Sequence, residues 1–97
     1  MPVSKRKFAA VVQKKGFLEV RNRDHVIFVF TDAAGKPNAK IQTKMSHGTG
    51  NDISDRLLVF MAKQMKLGKK AELDKYIDCS ISEAQYRTIL RKQNFHV

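Results

Sequence analysis

The sequence predicts an α+β fold in which helices cover one face of a three-stranded antiparallel sheet and further helices follow toward the C-terminus. Three observations predict it. Apolar residues recur at helical spacing over 4–15, three β-prone segments follow between residues 17 and 45, and helical patterns fill the remainder. The turns between the strands are too short for crossovers, so the strands pair antiparallel. With 97 residues, 1–97 is expected to form one domain around one core.

The first helix is marked at both ends. Ser4 can cap its start, Phe8 and Val12 lie on its apolar face, and Gly16 follows where a left-handed residue commonly ends a helix. Basic residues are assigned to its solvent-exposed surface: Lys5, Arg6, Lys7, Lys14 and Lys15.

Three strands are predicted next. The first, 17–21, alternates Leu18 and Val20 with charged residues, which is typical of a half-buried edge strand. The second, 25–31, is apolar on both faces and is expected to be central. In the third, inward residues alternate with outward Lys40, Gln42 and Lys44; the inward set is Ala39, Ile41, Thr43 and Met45.

The C-terminal half reads as helices. Asp52 or Ser54 can cap a helix ending at Gly68, whose broad apolar face is expected to lie on the sheet. A short helix over 69–77 follows, and Ser82 with Gln85 forms a capping box for the last helix. Four phenylalanines are assigned to the core rather than to base stacking: Phe8, Phe28, Phe30 and Phe60.

The net charge of the chain favours some classes of binding partner over others. The net charge is +10, and residues 1–50 hold ten bases against three acids. A surplus of this size on a short chain favours a nucleic-acid partner. A membrane surface is disfavoured, because the sequence has no long apolar run and no lipidation signal. The absence of a secretory signal and a single cysteine, Cys79, predict a cytoplasmic protein, and no spacing of Cys and His indicates a metal or cofactor.

Several local marks together resemble the HicA toxin family. They are Gly16-Phe17 followed by Arg21, His25 at the head of an apolar strand, His47-Gly48 after the third strand, and a terminal helix over 86–93. HicA proteins are small bacterial RNA-cleaving toxins with the helix, three strands and helix of the double-stranded-RNA-binding domain. The resemblance covers 5–48 and 81–95, so 52–80 is interpreted as a helical insert. The chain departs from the family at Arg23-Asp24, where HicA proteins usually have Gly-Ser.

The resemblance implies a type II toxin–antitoxin system in which this chain is a metal-independent endoribonuclease and a HicB-like antitoxin is its partner. It also implies that His25 is the general base. Imidazole suits that role because its ordinary pKa, ~6.5, lies near neutral pH. The structural alternative for His25 is a polar strand-end residue that pairs with Asp24 or with solvent.

Strand direction adds a second histidine. The end of the third strand returns beside the start of the second, so His47 is expected near His25, as an acid or a phosphate contact. Alternatively, His47 stabilises its own turn. Four basic residues are candidates to bind phosphate, although each alone is typical of a solvated surface: Arg21, Arg23, Lys40 and Lys44.

Three functions therefore remain open from sequence. The first is the RNA-cleaving toxin with His25 and His47 at its site. The second is a non-catalytic RNA-binding module of the same fold, in which the altered turn before His25 has removed catalysis. The third is a scaffold whose basic face binds an acidic protein.

Overall fold

The fold is mixed α+β, with four helices and a three-stranded antiparallel sheet in the part of the chain that the structure describes. The structure is a computed structural model, and it describes residues 3–23, 25–46, 52–78, 80–95 and 97. In chain order the elements are β1 (Val3–Ser4), α1 (Lys5–Lys14), β2 (Phe17–Arg21), β3 (His25–Thr31), β4 (Pro37–Ser46), β5 (Asp52–Ile53), α2 (Asp55–Gln64), α3 (Lys70–Ile77) and α4 (Glu83–Lys92).

The three-stranded sheet has the order β2-β3-β4, and both pairings are antiparallel. The prediction that the apolar strand β3 is central is therefore confirmed. A small additional sheet was not predicted: β1 pairs antiparallel with β5, with Val3 opposite Ile53. This pairing ties the start of α1 to the segment that leads into α2.

One face of the sheet is covered by the helices. Val26, Phe28 and Phe30 of β3 point into the core, where Tyr86 of α4 packs against Phe30 with ring centroids 5.1 Å apart. Helices α1, α2 and α3 complete the same core with fully buried side chains: Phe8, Val12, Leu58, Met61, Ala62, Met65, Leu73 and Tyr76. The apolar face of α2 thus lies against the sheet, as its pattern predicts.

The other face of the sheet lacks a helical cover among the described residues. Phe17 pairs with Phe30 and points into the core, so the two-residue period of a strand places Leu18 and Val20 on the opposite face. They are 46% and 47% exposed. Strand β2 is half-buried as predicted, but Phe17 supplies its buried side chain and the apolar pair faces outward.

Strand β4 contains an irregularity that its sequence pattern does not reveal. Gln42 pairs with Val29, whereas Asn38 pairs with Phe30, so residues 39–41 have no opposing partner on β3. Ile41, Thr43 and Met45 are buried as predicted. Ala39 is exposed, because the bulge interrupts the alternation before it reaches that residue.

The predicted helix caps are present. Ser4 accepts a hydrogen bond from the Lys7 N–H at 3.0 Å, and Ser54 rather than Asp52 caps α2. Ser82 and Gln85 form both hydrogen bonds of the capping box. These caps are local interactions, which explains why the sequence alone locates the starts of α1, α2 and α4.

Lys15 is a correction to the predicted solvent-exposed surface of α1. Its side chain is buried, and its Nζ donates to the carbonyl oxygens of Tyr76 at 2.5 Å and Ile81 at 2.7 Å. Nζ also lies 4.4 Å from the centroid of the Tyr76 ring. The ammonium group therefore satisfies one carbonyl at the C-terminal end of α3, where a positive charge is favourable, and one in the segment between α3 and α4.

Replacing Lys15 with methionine should lower the free energy of unfolding by about 1–3 kcal/mol, because it removes a charged donor from two buried carbonyls. Urea denaturation measures this difference. Lys14→Met is the matched control: Lys14 is exposed, so its replacement should change stability by no more than about 0.5 kcal/mol. Equal losses in the two variants would contradict a structural role for Lys15.

Candidate nucleic-acid interface

A groove runs between the β4 edge of the sheet and helix α2. We call it the sheet-edge groove. It has a volume of about 390 Å³ and is lined by His25, Lys44, Met45, Leu57, Phe60 and Gln64. A second hollow of about 270 Å³ shares Lys44 and Gln64 with it and reaches Ile27 and Gln42 on the outer face of the sheet. The groove is large enough for a small ligand or one unit of a polymer.

The main chain holds His25 in place at the start of β3. The Asn22 side-chain oxygen accepts a hydrogen bond from the His25 N–H at 2.7 Å, and the Asn22 N–H donates to the His25 carbonyl at 3.0 Å. The His25 side chain is partly exposed. Both bonds use main-chain atoms of His25. The turn therefore fixes the position of the residue through bonds that do not involve its imidazole ring.

Lys44 lies beside His25 across the strand pair. Ser46 is opposite His25 and Lys44 is opposite Ile27, so His25 and Lys44 are diagonal neighbours on one face of the sheet. The Cα atoms of such diagonal neighbours are about 7–8 Å apart, so their side chains can contact the same small group. Lys44 is exposed, so its ammonium group is accessible to an anion in the groove.

Helix α2 forms the opposite wall with residues on one helical stripe, Leu57, Phe60 and Gln64. The Gln64 Oε1 accepts a hydrogen bond from the Thr43 hydroxyl at 2.7 Å. Thr43 thereby orients the amide, and the amide NH₂ is the end of Gln64 that can donate to a ligand. The assignment of Phe60 to the core is wrong, since its side chain is 64% exposed.

Two further contacts keep α2 in position. Leu58 and Met61 are fully buried on its inner side, and the Tyr86 hydroxyl donates to the Met65 carbonyl at 2.6 Å just after the helix ends. Burial raises the pKa of Tyr86, so this hydroxyl stays protonated as a donor across the physiological range. These contacts hold helix α2, which forms the opposite wall of the groove, against the core.

Lys70 joins the start of α3 to the start of α2. Its Nζ lies 2.9 Å from an Asp74 carboxylate oxygen and 3.8 Å from one of Asp55. The hydrogen bond to Asp74 raises the pKa of Lys70. Because Lys70 and Asp74 are partly exposed and Asp55 is exposed, we expect these ion pairs to contribute little to stability.

The other predicted phosphate-binding residues do not line the groove. Arg21 pairs with Val26, so it lies on the helix-covered face, opposite to the face of His25, and its Nε is 3.1 Å from Glu19 Oε2. Arg23 is exposed in the turn before β3, and Lys40 is exposed in the β4 bulge. Arg21 therefore lies at the end of the sheet that holds His25, but on the opposite face.

His47, with the following Gly48, lies outside the described residues, so its predicted role stays a prediction. The described part of the chain contains no group of three or more His, Cys, Asp or Glu residues that could hold a metal ion. Within the same residues, no helix is long and apolar enough to cross a membrane.

Sequence reasoning missed Phe60 and Gln64 as groove residues, although a signal for Phe60 was available. The buried stripe of α2 is Leu58, Met61 and Ala62, and Met65 continues it just after the helix, which follows the spacing of one helical face. Phe60 is apolar but falls outside that stripe, so one helix face cannot bury it with the others. The Gln64 contact depends on Thr43, which is remote in sequence and gives no local signal.

The fold and groove define an α+β protein with a basic, partly aromatic cleft at one sheet edge. Comparison with protein-family models, curated proteins and solved structures found no match.

Proposed function

We propose that this protein is a metal-independent endoribonuclease, a HicA-like toxin of the double-stranded-RNA-binding-domain type, with His25 as its general base. The observation that carries the proposal is that His25, Lys44 and Gln64 line one groove on a chain of net charge +10. The arrangement combines a proton acceptor, a cation and an amide in one cleft. Those are groups that can act on a phosphodiester.

In the proposed reaction His25 removes the proton from a ribose 2′-hydroxyl. The 2′-oxygen then forms a bond to the adjacent phosphorus, and the bond from phosphorus to the 5′-oxygen breaks. The leaving 5′-oxygen takes a proton from protonated His47 or from water. The products are a 2′,3′-cyclic phosphate and a 5′-hydroxyl, so the step needs no oxidant, reductant or metal.

Lys44 has the electrostatic role in this mechanism. Negative charge accumulates on the phosphoryl oxygens as the 2′-oxygen attacks, and a nearby ammonium group stabilises it. Arg23 and Lys40 are exposed and do not line the groove, and they can attract flanking phosphates. Arg21 lies on the other face of the sheet and would contact RNA only if the RNA chain passed around the edge of β2. A HicB-like antitoxin would act by covering His25.

The test is cleavage of a synthetic RNA in the presence of EDTA, with analysis of both product ends. We expect a cyclic phosphate and a 5′-hydroxyl, and we expect a 2′-deoxy substitution at the cleaved position to block the reaction. Cleavage that EDTA abolishes would contradict the proposed mechanism. Salt-dependent RNA binding without cleavage would support the non-catalytic RNA-binding module instead.

Replacing Lys44 with alanine should weaken RNA binding and lower the slope of log affinity against log salt by about 0.7 for each lost contact with single-stranded RNA. Fluorescence anisotropy over a series of salt concentrations measures both quantities. Lys36→Ala is the matched control, because Lys36 is exposed next to β4 at the end of the sheet far from His25. An unchanged slope for Lys44→Ala would argue against a phosphate contact at this residue.

A further inference from the structure

Phe60 is unusual among the aromatic side chains. It is 64% exposed, whereas Phe8, Phe28 and Phe30 are fully buried, and it is the one exposed aromatic residue in the described part of the chain. Exposing a phenylalanine to water is unfavourable, and this one lies in the groove that His25 and Lys44 also line.

We propose that Phe60 is a stacking platform for an unpaired nucleobase, and that the groove therefore selects single-stranded over duplex RNA. The inference rests on the proposed function and extends it by naming the form of RNA and the residues that read it. In this arrangement a base lies on the Phe60 ring, Gln64 donates to its edge, and Lys44 binds an adjoining phosphate.

The chemistry of the wall matches a base. Aromatic rings stack on nucleobases with little dependence on sequence, and an amide NH₂ complements the acceptor atoms on base edges. Thr43 holds the carbonyl end of the Gln64 amide at 2.7 Å, which directs the donor end toward a ligand. Phe60 and Gln64 are four residues apart on α2, so ring and amide lie on the same side of the helix.

Whether the groove binds single-stranded or duplex RNA depends on whether a base can reach the Phe60 ring. In a duplex both faces of each base are already stacked, and the deep groove of A-form RNA admits few side chains. A base can reach Phe60 only when it is unpaired. The groove, about 390 Å³ in volume, is of a size suited to one such unit rather than to a helix.

Charge favours RNA over a protein as the occupant. The apolar ring is bordered by Lys44 and His25, on a chain whose net charge is +10. A nucleotide supplies both an apolar π-face and a phosphate within one unit, which complements a ring next to a cation.

The chain contains no tryptophan, so Phe60→Trp introduces a single fluorescent reporter at the proposed platform. We expect saturable quenching of this tryptophan by a single-stranded 2′-O-methyl RNA, which cannot be cleaved, and little quenching by the same sequence in a duplex. Val59→Trp is the matched control. Val59 is 40% exposed on the same helix but does not line the groove, so its variant should bind RNA without comparable quenching.

Affinity gives a second measurement. Base–aromatic stacking of about 1–3 kcal/mol corresponds to about 5- to 150-fold in affinity, so Phe60→Ala should weaken single-strand binding by that factor. Val59→Ala should leave it nearly unchanged. Equal affinities of the two variants, or equal quenching by single strand and duplex, would overturn the inference.

The outcomes separate this inference from the proposed function. If the wild-type protein cleaves RNA while Phe60→Ala binds and cleaves normally, only the stacking role fails. If the wild-type protein neither binds nor cleaves RNA, both fail. Quenching of the Phe60→Trp variant by an acidic peptide but not by RNA would overturn the inference in favour of a protein partner.

Discussion

Replacing His25 with alanine should lower the rate of RNA cleavage by about 10²–10⁴-fold, the usual contribution of a general base. The fold should survive. The two described hydrogen bonds of His25 to Asn22 use main-chain atoms, which alanine retains, and the imidazole is partly exposed. The substitution therefore removes the proton acceptor while it leaves the hairpin and the groove walls in place.

Single-turnover cleavage in EDTA measures the rate, and the affinity for uncleavable 2′-O-methyl RNA shows whether the groove still binds. His25→Gln serves as the companion variant, since glutamine fills space and forms hydrogen bonds but is not a base at neutral pH. It should lose as much activity as alanine does. Cleavage by His25→Ala within a few-fold of the wild type would refute the assignment of the base.

Replacing Gly16 with alanine should cost about 2–6 kcal/mol of stability, the largest loss we expect from removing or adding one methyl group. Gly16 has φ +101°, where side chains are strained by ~1–3 kcal/mol. An added Cβ would also lie 3.0 Å from the Phe30 ring and 3.1 Å from the Arg87 guanidinium, an overpacking that costs ~1–3 kcal/mol. For a chain of this length, each ~1 kcal/mol lowers Tm by about 4–8 °C.

The close approach at Gly16 has identifiable causes. Thr31 donates to the Gly16 carbonyl through both its N–H at 2.9 Å and its hydroxyl at 2.7 Å. Arg87 of α4 donates to the Thr31 carbonyl at 3.1 Å, and its guanidinium lies 4.6 Å from the Phe30 ring centroid. The turn after α1, the end of β3 and α4 therefore meet at this glycine.

Gly68→Ala separates backbone strain from packing. Gly68 has φ +84°, but an added Cβ would meet nothing within 4 Å, so only the strain of about 1–2 kcal/mol applies. Chemical denaturation of the two variants measures the difference. If Gly16→Ala and Gly68→Ala lose the same stability, then the contacts around Gly16 relax without cost and the packing argument is wrong.

Much of the fold could be predicted because its signals are local. The caps at Ser4, Ser54 and Ser82 act within one helical turn, and the apolar run of β3 marks it as central wherever its neighbours lie. The alternation in β4 likewise predicts the burial of Thr43 and Met45, because alternate residues of a strand lie on the same face and one face of this sheet packs against the core.

The candidate site was less predictable because it depends on pairing between distant segments. His25 and Lys44 were both named from sequence, and the β3–β4 register brings them together. Alternation in β2 predicts that Leu18 and Arg21 lie on opposite faces, but only the register of Phe17 with Phe30 shows that Arg21 is on the covered face. Phe60 was placed in the core because hydrophobicity alone does not show which apolar residue of α2 faces outward.

The sequence by itself determined the α+β class, the order and caps of the main helices, the central strand and the basic character of the chain. The tertiary structure decided which face of the sheet stays open, that Lys15 is buried against α3, and that α2 adds Phe60 and Gln64 to His25 and Lys44. The physical reason is the distance along the sequence over which each interaction acts. Propensity, capping and alternation act between residues a few positions apart, whereas a groove forms where strand register and core packing bring remote segments together.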